Sequence, residues 1–104
     1  MKIEFGIHKV ERDNEGVTQL LGRVFAGVVQ HGTRFVQACK IEHTSPEVAP
    51  LRIPVTGINL TVIGIYAYGR QFETLDEGLT GCVMVTGHAE TLKSGMSVIA
   101  ESFD

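Results

Sequence analysis

The sequence has no excess of positive charge and no long apolar run. Nine lysines and arginines stand against twelve aspartates and glutamates among its 104 residues, which gives a formal net charge of −3. Phosphate contacts dominate nucleic-acid affinity, so this balance does not favour a nucleic-acid partner. The first residues alternate apolar and polar side chains instead of forming a signal-peptide core, and no run approaches the length of a membrane span. We therefore expect one stand-alone cytoplasmic domain over residues 1–104, with no membrane contact.

Cysteine and histidine are few and scattered. Cys39 and Cys82 each lie in an apolar or strand-like run, which in a reducing cytoplasm predicts two small buried thiols without assigned chemistry. The histidines lack the short paired spacing and the C-x-x-C partner typical of zinc ligands, which predicts surface positions and no metal or other cofactor. They are His8, His31, His43 and His88.

No catalytic constellation is visible in the local sequence. Asp76 and Glu77 are consecutive carboxylates, and consecutive side chains in a strand or turn point apart. No nucleophile with a base and no metal ligand set can be assembled from neighbouring residues, so we predict no catalytic activity. An alternative hypothesis is a small enzyme whose Cys/His or carboxylate site is assembled by the fold.

Alternating apolar and polar residues are what the sequence does contain. Residues 3–9 alternate strictly, which predicts a strand with one face on the core. The run over 19–31 is apolar on both faces, and Gly22 and Gly27 mark places for a bend or a close backbone approach. A third, shorter strand is predicted from Phe35 to Glu42. Exposed loops are predicted at 11–16, which includes Asn14, and at 43–50, which includes Thr44 and two prolines.

The stretch from Ile58 to Gly87 is predicted to be the central unit of the fold. It consists of a long strand, a polar turn, and a return strand entered through Leu75–Gly81, where Gly78 and Gly81 can supply the positive φ of a tight turn. The alternation shifts near Gly57, which predicts a bulge there. Beyond the shift, one parity holds Ile58, Leu60, Val62, Tyr66 and Tyr68, and the other holds Ile63, Ile65 and Ala67.

Helical periodicity is missing throughout. No ten residues keep a 3.6 period, although residues 88–94 could make one helical turn before Gly95. About six short strands separated by loop signals are typical of an antiparallel barrel or sandwich.

Three glycine-containing stretches occur in the order and spacing of a known barrel. They are Gly22–Val29 with Gly32 following, Leu75–Gly81, and Leu92–Ile99. In these stretches the chain resembles the second domain of translational GTPases such as elongation factor Tu, the translation-protein β-barrel. The resemblance implies an all-β fold with a six-stranded, antiparallel, closed β-barrel.

The chain also departs from that family. No G-x-x-x-x-G-K-[ST] phosphate loop is present, so GTP chemistry is not carried over. The family's polar residues after the second glycine of L-x-x-G-x-x-G help to form a pocket for the aminoacyl end of tRNA, but Gly81 is followed here by Cys82-Val83-Met84. The resemblance therefore leaves binding of tRNA or rRNA as an alternative function and does not supply its site.

One cluster of side chains is a candidate binding surface: Tyr66, Tyr68, Arg70 and Phe72. Alternating aromatics with an arginine can anchor a protein contact or stack on bases, and they can equally cover the mouth of a barrel. Hydrophobic residues make up 43% of the chain and charged residues 20%, which favours a surface covered by another molecule. We expect a non-catalytic module that contacts a protein partner or a second copy of itself through Tyr66, Tyr68 and the outward residues of Leu20–Val29.

Overall fold

The computed structural model describes residues 2–13, 15–43, 45–55 and 57–101, and these residues form strands, turns and loops with no helix. Asn14 and Thr44, which the sequence assigns to loops, lie outside the described residues. The strands are β1 (Lys2–Arg12), β2 (Val17–Ala26), β3 (Val29–Gln30), β4 (Arg34–Phe35), β5 (Gln37–Glu42), β6 (Leu51–Val55), β7 (Asn59–Ala67), β8 (Arg70–Phe72), β9 (Thr74–Leu75), β10 (Thr80–His88) and β11 (Met96–Glu101).

The main sheet is antiparallel and strongly curved. Its strands follow the order β4-β7-β10-β2-β1-β11-β5-β6, with β8 added beside β7, and β3 pairs with β9 in a separate two-stranded sheet. The all-β prediction is therefore confirmed. The predicted closed barrel of six strands is wrong, because the main sheet has nine strands and forms an open half-barrel.

The difference in strand count has two sources: some predicted single strands are divided in two, and the short strands β8 and β9 lie where the sequence predicts a polar turn. The predicted strand over residues 35–42 is interrupted at Val36, so that β4 pairs with β7 while β5 pairs with β11. Val36 donates its N–H to the carbonyl oxygen of Ile99 at 3.1 Å, which turns the chain from one partner to the other. The predicted run over 19–31 is likewise divided by Gly27, which has a φ of 71°.

The core lies on the concave side of the main sheet. Phe5, Leu20, Phe35, Leu60 and Ile65 are completely buried there. Full burial of such a side chain stabilises the fold by about 1.5–3 kcal/mol, so these residues hold the sheet in its curved shape.

An extra residue in β7 decides which of its side chains face outward. Val85 pairs with Val62 and Met84 pairs with Gly64, so Ile63 has no partner on β10 and forms a bulge. Val62 and Ile65 both face the core, whereas Ile63 and Tyr66 are exposed. The predicted parity sets are therefore wrong, because the inserted residue exchanges the two faces halfway along the strand. Gly57, where the sequence places the shift, lies before β7 with a φ of 83°.

Strands β1 and β2 approach each other unusually closely at Gly22. A Cβ at this position would lie 1.8 Å from the carbonyl oxygen of Gly6, so no other residue fits without a backbone shift. This agrees with the close approach that the sequence predicts.

The connection between β10 and β11 is fixed by an arginine. The Nη2 atom of Arg12 donates to the carbonyl oxygens of Ala89 at 2.6 Å and Leu92 at 3.2 Å. The segment contains turns and no helical turn, which corrects the expectation for residues 88–94. Arg12 therefore helps to hold this segment against the sheet, together with the N–H of Gly95, which donates to the carbonyl oxygen of Ile7 at 2.9 Å.

Candidate interaction surface

The predicted cluster of Tyr66, Tyr68, Arg70 and Phe72 lies on the hairpin of β7 and β8. Ala67 pairs with Arg70, so Tyr68 and Gly69 form a two-residue turn. Both have positive φ, 52° for Tyr68 and 77° for Gly69, which is the geometry of a type I′ turn.

The hairpin does not bring the four side chains to one face. Tyr66 pairs with Gln71, whereas Phe72 pairs with the buried Ile65 and packs against the core. Arg70 pairs with the buried Ala67 and therefore lies on the side of Phe72. Because the turn contains two residues, Ala67 lies opposite Arg70 and shares its face. Tyr66 before the turn is therefore on the opposite face from Arg70 and Phe72 after it. Tyr66 remains on the outer face, and Tyr68 stands at the tip with 75% of its surface exposed.

Tyr66 belongs to a group of uncharged residues on the convex side of the sheet. Cys82 pairs with Tyr66 on one side and with Leu21 on the other, and directly opposed residues share a face. Met84 and Ile63 lie next to this row. We define the outer patch as Leu21, Ile63, Tyr66, Cys82 and Met84.

Gly64 allows the side chains of the outer patch to close over the backbone. A Cβ at Gly64 would lie 3.5 Å from both the Sδ of Met84 and the Cε2 of Tyr66. The ring and the thioether therefore meet above a position without a side chain. Tyr66 is 43% exposed and Ile63 37% exposed, so part of this apolar surface faces solvent.

Charged residues border the outer patch on β1. Lys9 lies opposite Leu21, Glu11 lies opposite Gln19, and their side chains form an ion pair of 2.9 Å. Burial raises the pKa of the Cys82 thiol, and the negative charge of Glu11 raises it further. Cys82 is thus a neutral thiol at physiological pH.

The neighbouring exposed aromatic ring belongs to Phe25. Phe25 is 49% exposed, and a Cβ at Gly6 would lie 2.1 Å from the ring, so the ring covers the backbone of Gly6. Leu21 and Phe25 are apolar residues on the outward side of β2, but Gln19 and the exposed Arg23 alternate with them. The run that the sequence predicts to be apolar on both faces is therefore only partly so, and Val29 is fully buried.

The glycine-containing turn before β10 is joined by hydrogen bonds to β2 and to the residue that follows β2. Gly78 has a φ of 87° and donates its N–H to Val24 at 2.8 Å, while its carbonyl accepts from the Nε of Arg23 at 3.0 Å. Gly81 lies within β10 and does not have a positive φ, which corrects that part of the prediction. A Cβ at Gly81 would be 3.1 Å from the Tyr66 carbonyl oxygen. Glu77 accepts from the N–H of Gly27 at 3.3 Å, so this carboxylate fastens the turn to β2.

A second polar group, which the sequence analysis missed, surrounds Glu4. Its side chain is only 5% exposed, and it accepts from the Nη2 of Arg52 at 2.6 Å and from the Nζ of Lys2 at 3.1 Å. The same Nη2 lies 3.2 Å from the Sγ of Cys39, which in turn lies 3.1 Å from the Oγ of Ser97. We call these five residues the Glu4 cluster. Arg52 follows Glu4 by 48 positions, so no local pattern in the sequence could have joined them.

The ionisation of Glu4 reflects two opposing effects. Burial alone would raise its pKa, but the hydrogen bonds from Arg52, Lys2 and Ser97 outweigh burial and leave the pKa below its ordinary value. Glu4 is therefore ionised at neutral pH and holds both cations in place.

The fold does not bring the remaining candidate metal ligands together among the described residues. All four histidines are exposed, and no group of three or more His, Cys, Asp or Glu side chains among the described residues could hold a metal ion. Both cysteines are free thiols. Cys39 is buried as predicted, whereas the predicted burial of Cys82 is wrong, because Cys82 is only half-buried. Within the described part of the chain, no helix is long and apolar enough to cross a membrane.

Comparison with known proteins gives a structural likeness only. No protein-family model matches the chain, and no curated protein matches it in sequence. Among solved structures, the fold is similar to part of the translation elongation factor SelB from Methanococcus maripaludis in its apo form, with a TM-score of 0.69 and 12% sequence identity. The match covers 97% of this chain and 19% of that chain. In fold, the chain therefore resembles a translation-factor β-barrel domain.

Proposed function

We propose that this domain is a non-catalytic, translation-related interaction module whose outer patch binds a protein surface. When no other protein is present, the outer patch binds a second copy of the chain. The observation that carries the proposal is the composition of the outward side of β7 and β10. At these positions the strands present Asn, Thr, Ile, Tyr, Cys and Met, with no charged side chain before the end of β10.

A solvated face of an antiparallel sheet normally carries polar residues opposite its buried side. Here the centre of the face is formed by Tyr66, Met84 and Leu21, and its charged residues lie at the border, as with the ion pair of Lys9 and Glu11. An apolar centre with a polar rim is the composition of protein interfaces, in which tyrosine and methionine are enriched. This arrangement supports protein contact over nucleic-acid contact.

The likeness to SelB supports a translation-related role. The similar region is 19% of the SelB chain, so the domain is one part of a longer protein there. A domain within a longer protein packs against neighbouring domains of the same chain. If this chain has a surface of that kind, a separate partner would be needed to cover it.

Light scattering behind a sizing column tests self-association. We expect a dimer at micromolar concentration, and we expect Tyr66→Asp to shift the chain to monomer because a carboxylate in a buried contact is costly. Val48→Asp is the matched control, since Val48 is 56% exposed in the loop before β6 and lies outside the outer patch. A monomer at every concentration, unchanged by Tyr66→Asp, contradicts self-association.

Filter binding with tRNA and duplex RNA at low salt tests the alternative. We expect no saturable binding, because the chain has a net charge of −3 and no excess of lysine and arginine to neutralise phosphates. A tight, strongly salt-dependent affinity would instead favour an RNA-binding module.

A further inference from the structure

A cleft of about 510 Å³ opens beside the Glu4 cluster. Its polar lining includes Lys2, Arg52 and Cys39, and its apolar lining includes Val36, Pro54 and Ile99. The volume lies within the range of about 300–1,000 Å³ that is typical of small-molecule sites. The cleft is formed by β1, β5, β6 and β11, whereas the outer patch is formed by β2, β7 and β10.

Glu4 fixes two cations at this cleft. Its Oε1 holds the Nζ of Lys2 at 3.1 Å and its Oε2 holds the Nη2 of Arg52 at 2.6 Å. One buried carboxylate therefore balances only one of two positive charges. Both cations are already oriented before any ligand arrives.

Both cations retain the capacity to bind an anion. The side chains of Lys2 and Arg52 are 50% and 48% exposed. Among the described residues, the hydrogen bonds of Arg52 run through Nη2 alone, so its Nε and Nη1 donors are available. Each of these donors can bind a single oxygen of a carboxylate or phosphate, because both paired edges of the guanidinium include Nη2, which already contacts Glu4.

We propose that this cleft binds a small organic anion in which a carboxylate or phosphate is attached to an apolar group. Lys2 and Arg52 bind the charged end. Val36, Pro54 and Ile99 contact the apolar part. The proposal is independent of the interaction surface, since it uses other strands and other residues.

Glu101 tests the electrostatic part of this proposal. It pairs with Lys2 across β1 and β11, and it lines the neighbouring cleft beside Arg34. Its negative charge lies near Lys2 and opposes an anion. Glu101→Gln should therefore leave anion affinity unchanged or increase it, whereas Lys2→Met should reduce it.

The experiment is a titration of the ¹⁵N-labelled full chain, followed by amide NMR shifts, with octanoate, octyl phosphate, octanol and inorganic phosphate as separate probes. We expect saturable shifts at Cys39, Val36 and Ile99 with octanoate or octyl phosphate, and much smaller shifts with octanol or inorganic phosphate. The two anionic probes rank carboxylate against phosphate. Lys2→Met should weaken affinity about fivefold or more, since one charge-assisted hydrogen bond is lost.

Two further variants separate binding from folding. Lys9→Met removes a lysine that borders the outer patch, and it should leave the octanoate affinity unchanged. Arg52→Lys keeps the positive charge beside Glu4 and removes the additional guanidinium donors. This variant should still fold, and it should bind the anion more weakly. Equal shifts with octanol and octanoate, shifts centred on Tyr66 and Met84, or an affinity unaffected by Lys2→Met would each overturn the proposal.

Discussion

At the residue scale, the carboxylate of Glu4 joins parts of the sheet that are distant in sequence. Lys2 and Glu4 lie on β1, Arg52 lies on β6, and two strands separate β1 from β6 in the sheet. Removing one partner of such a group leaves a buried polar atom unsatisfied, which costs about 1–3 kcal/mol. We expect Glu4→Gln to lower the free energy of unfolding by an amount in this range at pH 7.

The contribution of Glu4 should disappear in acid. Its pKa in the folded chain lies below its ordinary value of 4.5, so the unfolded chain takes up the proton first as pH falls. The stabilisation is complete above pH 4.5 and is lost as pH falls through the lower, folded pKa. Urea unfolding of the wild type and of Glu4→Gln at several pH values checks this. A difference between them that stays constant into acid would contradict it.

Cys82 provides a second test at this scale. Glu11→Gln removes the negative charge that helps to raise the Cys82 pKa, so the pH profile of iodoacetamide alkylation should move to lower pH. Burial, the larger cause, still holds the pKa of Cys82 above its ordinary value, so only part of the shift should be lost. Glu15→Gln, at an exposed position, is the control. An identical profile in Glu11→Gln and wild type would show that Glu11 does not act on this thiol.

Single residues were predictable where burial follows local pattern. Cys39 lies in an apolar run, and its predicted burial is confirmed at 5% exposure. Glu4 alternates with buried apolar residues, so the pattern places it toward solvent; it is nevertheless buried, because Arg52 from a distant strand lies over it. Sequence alternation identifies the face of a strand and cannot identify what covers that face.

At the scale of elements, the β7–β8 hairpin carries a strained residue at its tip. Tyr68 adopts a φ of 52°, which costs an ordinary residue about 1–2 kcal/mol, and asparagine followed by glycine is preferred in this turn. We expect Tyr68→Asn to increase the free energy of unfolding by about 0.5–1 kcal/mol. Denaturant unfolding measures the change.

The control for this substitution is Tyr68→Ala, which keeps the unfavourable φ and should give no gain. If Tyr68 contributes to partner contact, the stabilised Tyr68→Asn chain should also dimerise more weakly, because strain is retained where function needs the side chain. Equal stability of the asparagine and alanine variants would contradict the turn assignment.

Strand positions were predicted best from the sequence where a strand keeps the same buried face along its length. The strict alternation from Ile3 and the last run from Met96 correspond to β1 and β11. The breaks at Val36 and Ile63 were not predictable, since each depends on which strand lies alongside. A bulge is fixed by the register of two strands, and one strand alone does not reveal it.

At the scale of the whole molecule, the order of three glycine-containing stretches predicted the fold better than any single motif. The resemblance to a translation-factor barrel is confirmed by the structural likeness to SelB at 12% identity. The glycines are informative because backbone approach and turn geometry, as at Gly22 and Gly78, restrict those positions to glycine. The number of strands and the opening of the sheet were not predictable, because the short strands pair with residues that are distant in sequence, as β3 does with β9.

Cys82 lies within the outer patch, which we propose is covered by another protein surface. The most direct test is the alkylation rate of Cys82 by iodoacetamide at fixed pH, measured from low to high concentration of the chain alongside its mass. We predict that the rate falls in the wild type as dimer forms, and that it stays constant in Tyr66→Asp. A chain that dimerises with Cys82 equally reactive, or that remains monomeric with a constant rate, would contradict the claim.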